Sequence, residues 1–198
     1  MKRTPFAISV AAAIIVAGGA SVLGFHAVAM HDGSAVRERG MAPVWTETKW
    51  PFLLDQWGVG KAYVCAVADC GSRIEVFIRP KIGFCNCTTG VADDAELERV
   101  ADTDLVSPTV EPLGPGTPVK IGWMRGLRRT YQVSADRPDK HLLSVAFNDE
   151  CDVVVALASL GTADPEAAAA AVIAFLNSPP VVLWAKKELG LEFVQREW

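Results

Sequence analysis

Histidine is scarce in this chain: three in 198 residues. His26 lies in an apolar leader, His31 in the segment after it and His141 at the start of a strand pattern. Imidazole-based acid–base chemistry therefore has little material. Several motifs are missing as well. The sequence has no G-x-S-x-G, no H-E-x-x-H, no P-loop and no C-x-x-C-H, which removes the common hydrolase, zinc-protease, nucleotide and haem signatures. Asp102-Thr103-Asp104 opens like a calcium loop but lacks the glycine and the closing glutamate at EF-hand spacing. Ser107 and Ser144 have no base near them in sequence. There is no internal repeat, and no segment after residue 30 is apolar enough to span a bilayer. A basic excess is also absent. The net charge is −4, which argues against nucleic acid as a partner.

What is present begins with the leader. Lys2 and Arg3 precede an uncharged stretch, Ala7–Phe25, and Ala27-Val28-Ala29 fits the small-x-small cleavage pattern. Residues 1–29 are thus a signal peptide or an N-terminal membrane anchor. The stretch is long for a secretory core and short for a span, so both readings stand. In either case the rest of the chain is exported, to the periplasm or to the periplasmic face of the cytoplasmic membrane, with the membrane touched by the N-terminal segment if it stays uncleaved. Without Lys2 and Arg3, 17 of the 19 basic residues face 23 acidic ones and the charge falls to −6.

The exported part divides into residues 30–58, a linker and aromatic strap, and 59–198, a single α+β domain. Trp45, Trp50, Phe52 and Trp57 crowd the strap, and rings of that size pack across a domain surface more readily than they stay in water. Apolar residues make up 51% of the chain, enough for a true core, so disulfides are supplementary. Residues 61–79 alternate in polarity. With Asp69–Ser72 as the turn, Val67 faces Ile74, Cys65 faces Val76 and Tyr63 faces Ile78, which puts six apolar side chains on one face. Arg79-Pro80 ends that hairpin. Ile82–Cys87 reads as a short extended piece. Asp93 with Glu96 starts a helix over 94–101, and residues 102–118 read as a proline-marked loop. A second pair sets Val119, Ile121 and Trp123 against Tyr131 and Val133 around a turn near Gly126. A third joins 141–147 to 152–158, and its Val153-Val154-Val155 run suits a strand covered on both faces. Asp164-Pro165 caps one helix and Ser178-Pro179 another that ends at Gly190. The fold expected is α+β: an antiparallel sheet built from hairpins with the C-terminal helices packed on one face.

Five cysteines carry the functional question. In an oxidising compartment they pair by default, and one of five is left over. Cys85 and Cys87 are two apart and bond each other poorly, so the expected scheme bridges the Cys65–Cys70 hairpin to the Cys85–Cys87 segment, with Cys151 free or a third partner. The alternative is a metal site for Zn²⁺ or Cu(I) built from Cys65, Cys70, Cys85 and Cys87, although C-x-C is tighter than a zinc knuckle. Thiol–disulfide redox chemistry is weaker still, because Asp93 and Asp94 raise a neighbouring thiol pKa. Two charge runs complete the picture. Asp93, Asp94, Glu96, Glu98, Asp102, Asp104 and Glu111 are acidic, and Arg125, Arg128, Arg129, Arg137 and Lys140 are basic. They read as solvated surfaces, or as the poles of a module that docks an envelope protein. The resulting expectation is a non-catalytic, disulfide-bearing accessory or binding module without a cofactor.

Overall fold

The structure is a computed structural model that describes residues 42–133, 140–162 and 164–191; residues 1–29, linker residues 30–41 and Arg137 lie outside the described residues. The described residues group as one compact unit. Its chain order is β1 (Trp45–Thr48), β2 (Lys61–Cys65), α1 (Val67–Cys70), β3 (Ile74–Lys81), α2 (Asp94–Val100), β4 (Val110–Pro112), β5 (Thr117–Ile121), β6 (Met124–Val133), β7 (His141–Asp149), β8 (Asp152–Ser159), α3 (Pro165–Leu176) and α4 (Pro179–Glu188). The strands form one eight-stranded antiparallel sheet in the order β1-β2-β3-β8-β7-β6-β4, with β5 also on β6. The class is the expected α+β.

The sheet is covered on both faces. Ile78 of β3, Val154 and Ala156 of β8 and Val145 and Phe147 of β7 point to one side, where α3 and α4 bury Val172, Phe175, Leu176, Val181 and Ala185 against them. Val153 and Val155 point to the other side and meet Leu97 and Val100 of α2. That double covering is why the valine run does not alternate. Helices α3 and α4 meet at a 62° bend, and no single helix among the described residues is long and apolar enough to cross a membrane. Asp164 caps α3 through the Ala167 N–H at 3.0 Å, with Pro165 in the first turn. Ser178 holds the N-cap place of α4 with extended backbone but makes no side-chain cap.

Several local expectations need correction. The first hairpin pairs Cys65 with Ile74, Tyr63 with Val76 and Lys61 with Ile78. This is two residues away from the expected register. A shift of two preserves the face, so Cys65, Ile74, Val76 and Ile78 are still buried together. The connection is longer because Val67–Cys70 forms a helical turn, closed by the left-handed Gly71 at φ 75, and Val67 is left exposed. Strand β3 runs on through Pro80 to Lys81. Its β2 partners stop at Ile78, so Pro80 sits where one side of the strand is already unpaired, a place that tolerates the missing N–H. Residues 45–48, read as linker, add an edge strand to β2. Ile82–Cys87 is turn and bend rather than extended. The expected loop 102–118 contains β4 and the first two residues of β5, and their Pro112 and Pro118 lie on the outer side of β6.

The second hairpin turns at Gly122-Trp123, since Ile121 pairs with Met124. Gly126 lies inside β6, between Val119 and Phe147. A Cβ there would run into the Ala146 carbonyl oxygen, so glycine is set by backbone proximity and not by a turn. Gly126→Ala is expected to destabilise the domain by about 1–3 kcal/mol, the usual range for overpacking. Urea unfolding checks it: the midpoint falls while the slope stays unchanged.

Candidate functional site

The structure distributes the five cysteines differently from the expected scheme. Cys65 bonds Cys70, with Cα atoms 6.0 Å apart, and staples the α1 turn to the end of β2. Cys87 bonds Cys151, with Cα atoms 4.1 Å apart, and ties the loop after β3 to the β7–β8 turn. No bridge joins the first hairpin to the Cys85–Cys87 segment. Cys85 is the free cysteine, and it is buried. The four cysteines of the metal reading do not converge, and among the described residues no group of three or more His, Cys, Asp or Glu is placed to hold an ion. Two disulfides are the pattern favoured in oxidising compartments.

Cys85 and Cys87 take opposite environments within one tight turn. Asn86 shapes that turn: its side-chain oxygen accepts the N–H groups of Thr88 at 2.9 Å and Thr89 at 3.2 Å. Cys87 is left exposed at the surface. Cys85 packs into the core of Leu97, Val100, Ala146 and Val155. Its N–H donates to the Cys151 carbonyl at 3.1 Å, and its thiol donates to the Glu150 carbonyl at 3.3 Å. Burial, followed by the charges of Glu96 and Asp152, pushes this thiol up to about 11. The direction matches the sequence expectation, but the acids responsible are different ones. Asp93 caps α2 through the Glu96 N–H at 2.8 Å, while the Glu96 carboxylate accepts from the Asn86 N–H and Arg99. Those bonds, the Arg99 one first, hold Glu96 below the usual carboxylate range. The thiol therefore stays protonated at neutral pH and is a weak nucleophile.

A second constellation was not evident in the sequence. Arg79 and Lys81, on the β3 face away from α3 and α4, are both buried. The Arg79 guanidinium bonds both Asp102 oxygens at 2.7 Å and both Asp55 oxygens at 2.7 and 2.8 Å. Lys81 Nζ lies 2.8 Å from Asp102 and donates to the Val100 carbonyl at 2.7 Å. The aromatic strap covers them. Trp50 lies over Arg79 and packs edge-on to Phe52 and Phe77, while Trp57 and Phe84 flank Lys81. Trp45 stacks on Phe175 at 4.4 Å. Burial works against the Arg79 charge, but its bonds to Asp102 and Asp55 outweigh it and raise its pKa. Two cations answer two carboxylates. This is a clamp between strap, sheet and the residues that follow α2, with its charges paired among themselves.

The charge runs are not separate poles. Arg129 binds Glu98 at 2.6 Å and lies 3.5 Å from Asp94, so the basic strand and the acidic helix hold each other. Arg128 reaches Glu166 at 3.1 Å. Arg125 has no ion-pair partner among the described residues.

Arg125 belongs to a rim where three turns meet: Cys87–Gly90, Gly122-Trp123 and Glu150-Cys151. They enclose a shallow recess of about 320 Å³ lined by Thr88, Thr89, Trp123, Arg125, Asp149 and Glu150, with the Cys87 end of the disulfide in its wall. Each turn is fixed from behind. The Gly122 N–H donates to the Asn177 side-chain oxygen at 2.9 Å, and the Asn177 amide donates to the Lys120 carbonyl at 3.2 Å. Asn148 accepts the Val91 N–H at 3.0 Å and donates to the Glu150 carbonyl at 3.0 Å. Glu150 is the one non-glycine residue with positive φ among those described, at 51°, a conformation uncommon for a side-chain-bearing residue. Sequence reasoning missed this rim because Trp123 read as a strand residue on an apolar face. The Ile-Gly-Trp-Met stretch, with glycine ahead of the tryptophan, was the available signal for a two-residue turn.

No protein-family profile matches this chain, and comparison with curated proteins finds no significant match.

Proposed function

We propose that this chain is a non-catalytic exported module of the cell envelope, a rigid disulfide-clasped domain that works by binding. The observation that carries the reading is the pair of disulfides, Cys65–Cys70 and Cys87–Cys151, which suits life outside the reducing cytoplasm and agrees with the Lys2-Arg3 and Ala7–Phe25 leader. The groups most able to do chemistry are occupied. The free thiol is core-packed and protonated, and the buried charges neutralise one another. Trp123 and Arg125 are both exposed at the rim, and tryptophan and arginine are the residue types that dominate binding sites. A partner in the envelope is docked there rather than at an acidic or basic pole.

The test joins export to thiol state. Alkaline phosphatase fused after residue 198 should be active in the periplasm, and denatured, unreduced protein from the envelope should take up a single alkylating group, at Cys85. In the folded protein the same label should enter slowly at neutral pH and faster as pH rises toward about 11, because only the thiolate reacts. An inactive fusion, or several labelled cysteines, would refute the reading.

A further inference from the structure

Trp123 stands at the apex of the β5–β6 turn with 39% of its surface exposed, and the bond from Gly122 to Asn177 keeps that turn from folding inward. The other side-chain-bearing residues that line the recess are mostly polar: Thr88, Thr89, Arg125, Asn148, Asp149 and Glu150. A purely apolar ligand would strip water from these groups without replacing its hydrogen bonds. A purely polar ligand would leave the indole unused. The complementary ligand has one apolar face about as wide as the indole and a polar edge all round it. A pyranose ring has that shape. Its C–H groups carry the partial positive charge that the negative π face attracts. Its hydroxyls both donate and accept, so they satisfy carboxylates, which only accept, and a guanidinium, which only donates. Hydrogen bonds to charged groups are also stronger than those between neutral ones.

The charge of the recess narrows the class. The lining holds one arginine and two acidic residues, so an acidic sugar is repelled on balance and a neutral one is not. Asn148 holds the rim from behind, accepting from Val91 and donating to Glu150. The rim is ordered in advance by those bonds and by Cys87–Cys151, so binding does not have to order the loops first. We propose that this recess binds a neutral saccharide, with Trp123 stacked on a pyranose ring and Arg125, Asp149 and Glu150 bonding its hydroxyls. The inference rests on the reading of the chain as an exported binding module and names the ligand class of that module.

Maltohexaose, cellohexaose, laminarihexaose and chitohexaose are titrated into the full chain, kept in a zwitterionic detergent that carries no sugar. Binding is followed by calorimetry and by tryptophan fluorescence. At least one of the four should bind saturably, Trp123→Ala should weaken it about tenfold or more, and Trp123→Phe should recover most of the loss. Arg125→Ala should weaken binding less. Leu183→Ala, at an exposed residue of α4, should bind as the parent does, and all variants should unfold at the parent's temperature. Failure of all four sugars to saturate up to about 10 mM overturns the proposal, and so does binding that survives Trp123→Ala. Trp123-dependent binding of hexalysine in place of any sugar overturns it too, by assigning the carboxylates to a basic peptide. None of these failures would alter the export and thiol results, so the two readings fail separately.

Discussion

Asp102→Ala is expected to cost about 3–5 kcal/mol of folding free energy, the range for removing one partner of a buried ion pair. Asp102 and Arg79 side chains are 6% and 3% exposed. Without the carboxylate, Arg79 keeps only Asp55, which is 39% exposed, and Lys81 keeps only the Val100 carbonyl. Two cations then lie under Trp50, Trp57 and Phe84 with one half-solvated anion to balance them. Urea unfolding measures the loss, and a drop under about 1 kcal/mol would mean that water already screens the clamp. A triple replacement, Arg79→Met, Lys81→Met and Asp102→Leu, is the informative partner. If the penalty comes from stranded charge and not from lost packing, the triple variant should recover most of the stability. The same clamp gives an acid dependence. Its bonds to Arg79 hold Asp55 below its ordinary value of 3.8. A depressed carboxylate stabilises the fold above that value, and the contribution fades as pH falls through the lowered one. Strap loosening in acid should therefore show as a change in Trp50 and Trp57 fluorescence.

The clamp also shows where sequence reasoning stops. Period-two alternation located β2 and β3 and identified the face on which Cys65, Ile74, Val76 and Ile78 lie, because burial on one face dictates side-chain direction. It could not settle register, since a shift of two residues leaves every face unchanged. Caps at Asp93 and Asp164 were legible because they bond residues three positions away. Arg79, Lys81 and Asp102 were not, because their partners come from strand, strap and helix end and nothing local sets the spacing. Cysteine pairing was hidden for the same reason. Composition indicated one unpaired cysteine, but only the meeting of the loop after β3 with the β7–β8 turn makes Cys151 the partner of Cys87 and leaves Cys85 in the core. The recess was least visible of all. It is made of three turns brought together by the sheet, and its most telling residue, Trp123, passes for a strand residue until the turn is found.

Cys87→Ser with Cys151→Ser should lower stability by about 4 kcal/mol, the chain-entropy value for a closed loop of this size; the bridged residues are 64 apart in sequence. Cys65→Ser with Cys70→Ser opens a loop of only five residues, and the same relation gives about 2 kcal/mol. The comparison is best made in a Cys85→Ala background, so that no third thiol can pair with Cys151 when its partner is lost. Guanidinium unfolding gives both numbers, and equal losses would mean that local packing, and not loop closure, sets the value of each bridge. The larger bridge has a further consequence. It fixes the Cys87–Gly90 turn against Glu150, so its removal frees one wall of the recess while β5–β6 and α3 stay in place. Sugar binding should weaken under conditions where the far-ultraviolet spectrum is still native. The Cys65–Cys70 variant, whose bridge lies at the α1 turn, should bind as the parent does until it unfolds. Separate loss of binding and of fold in these two variants would tie the Cys87–Cys151 bridge to the site it frames.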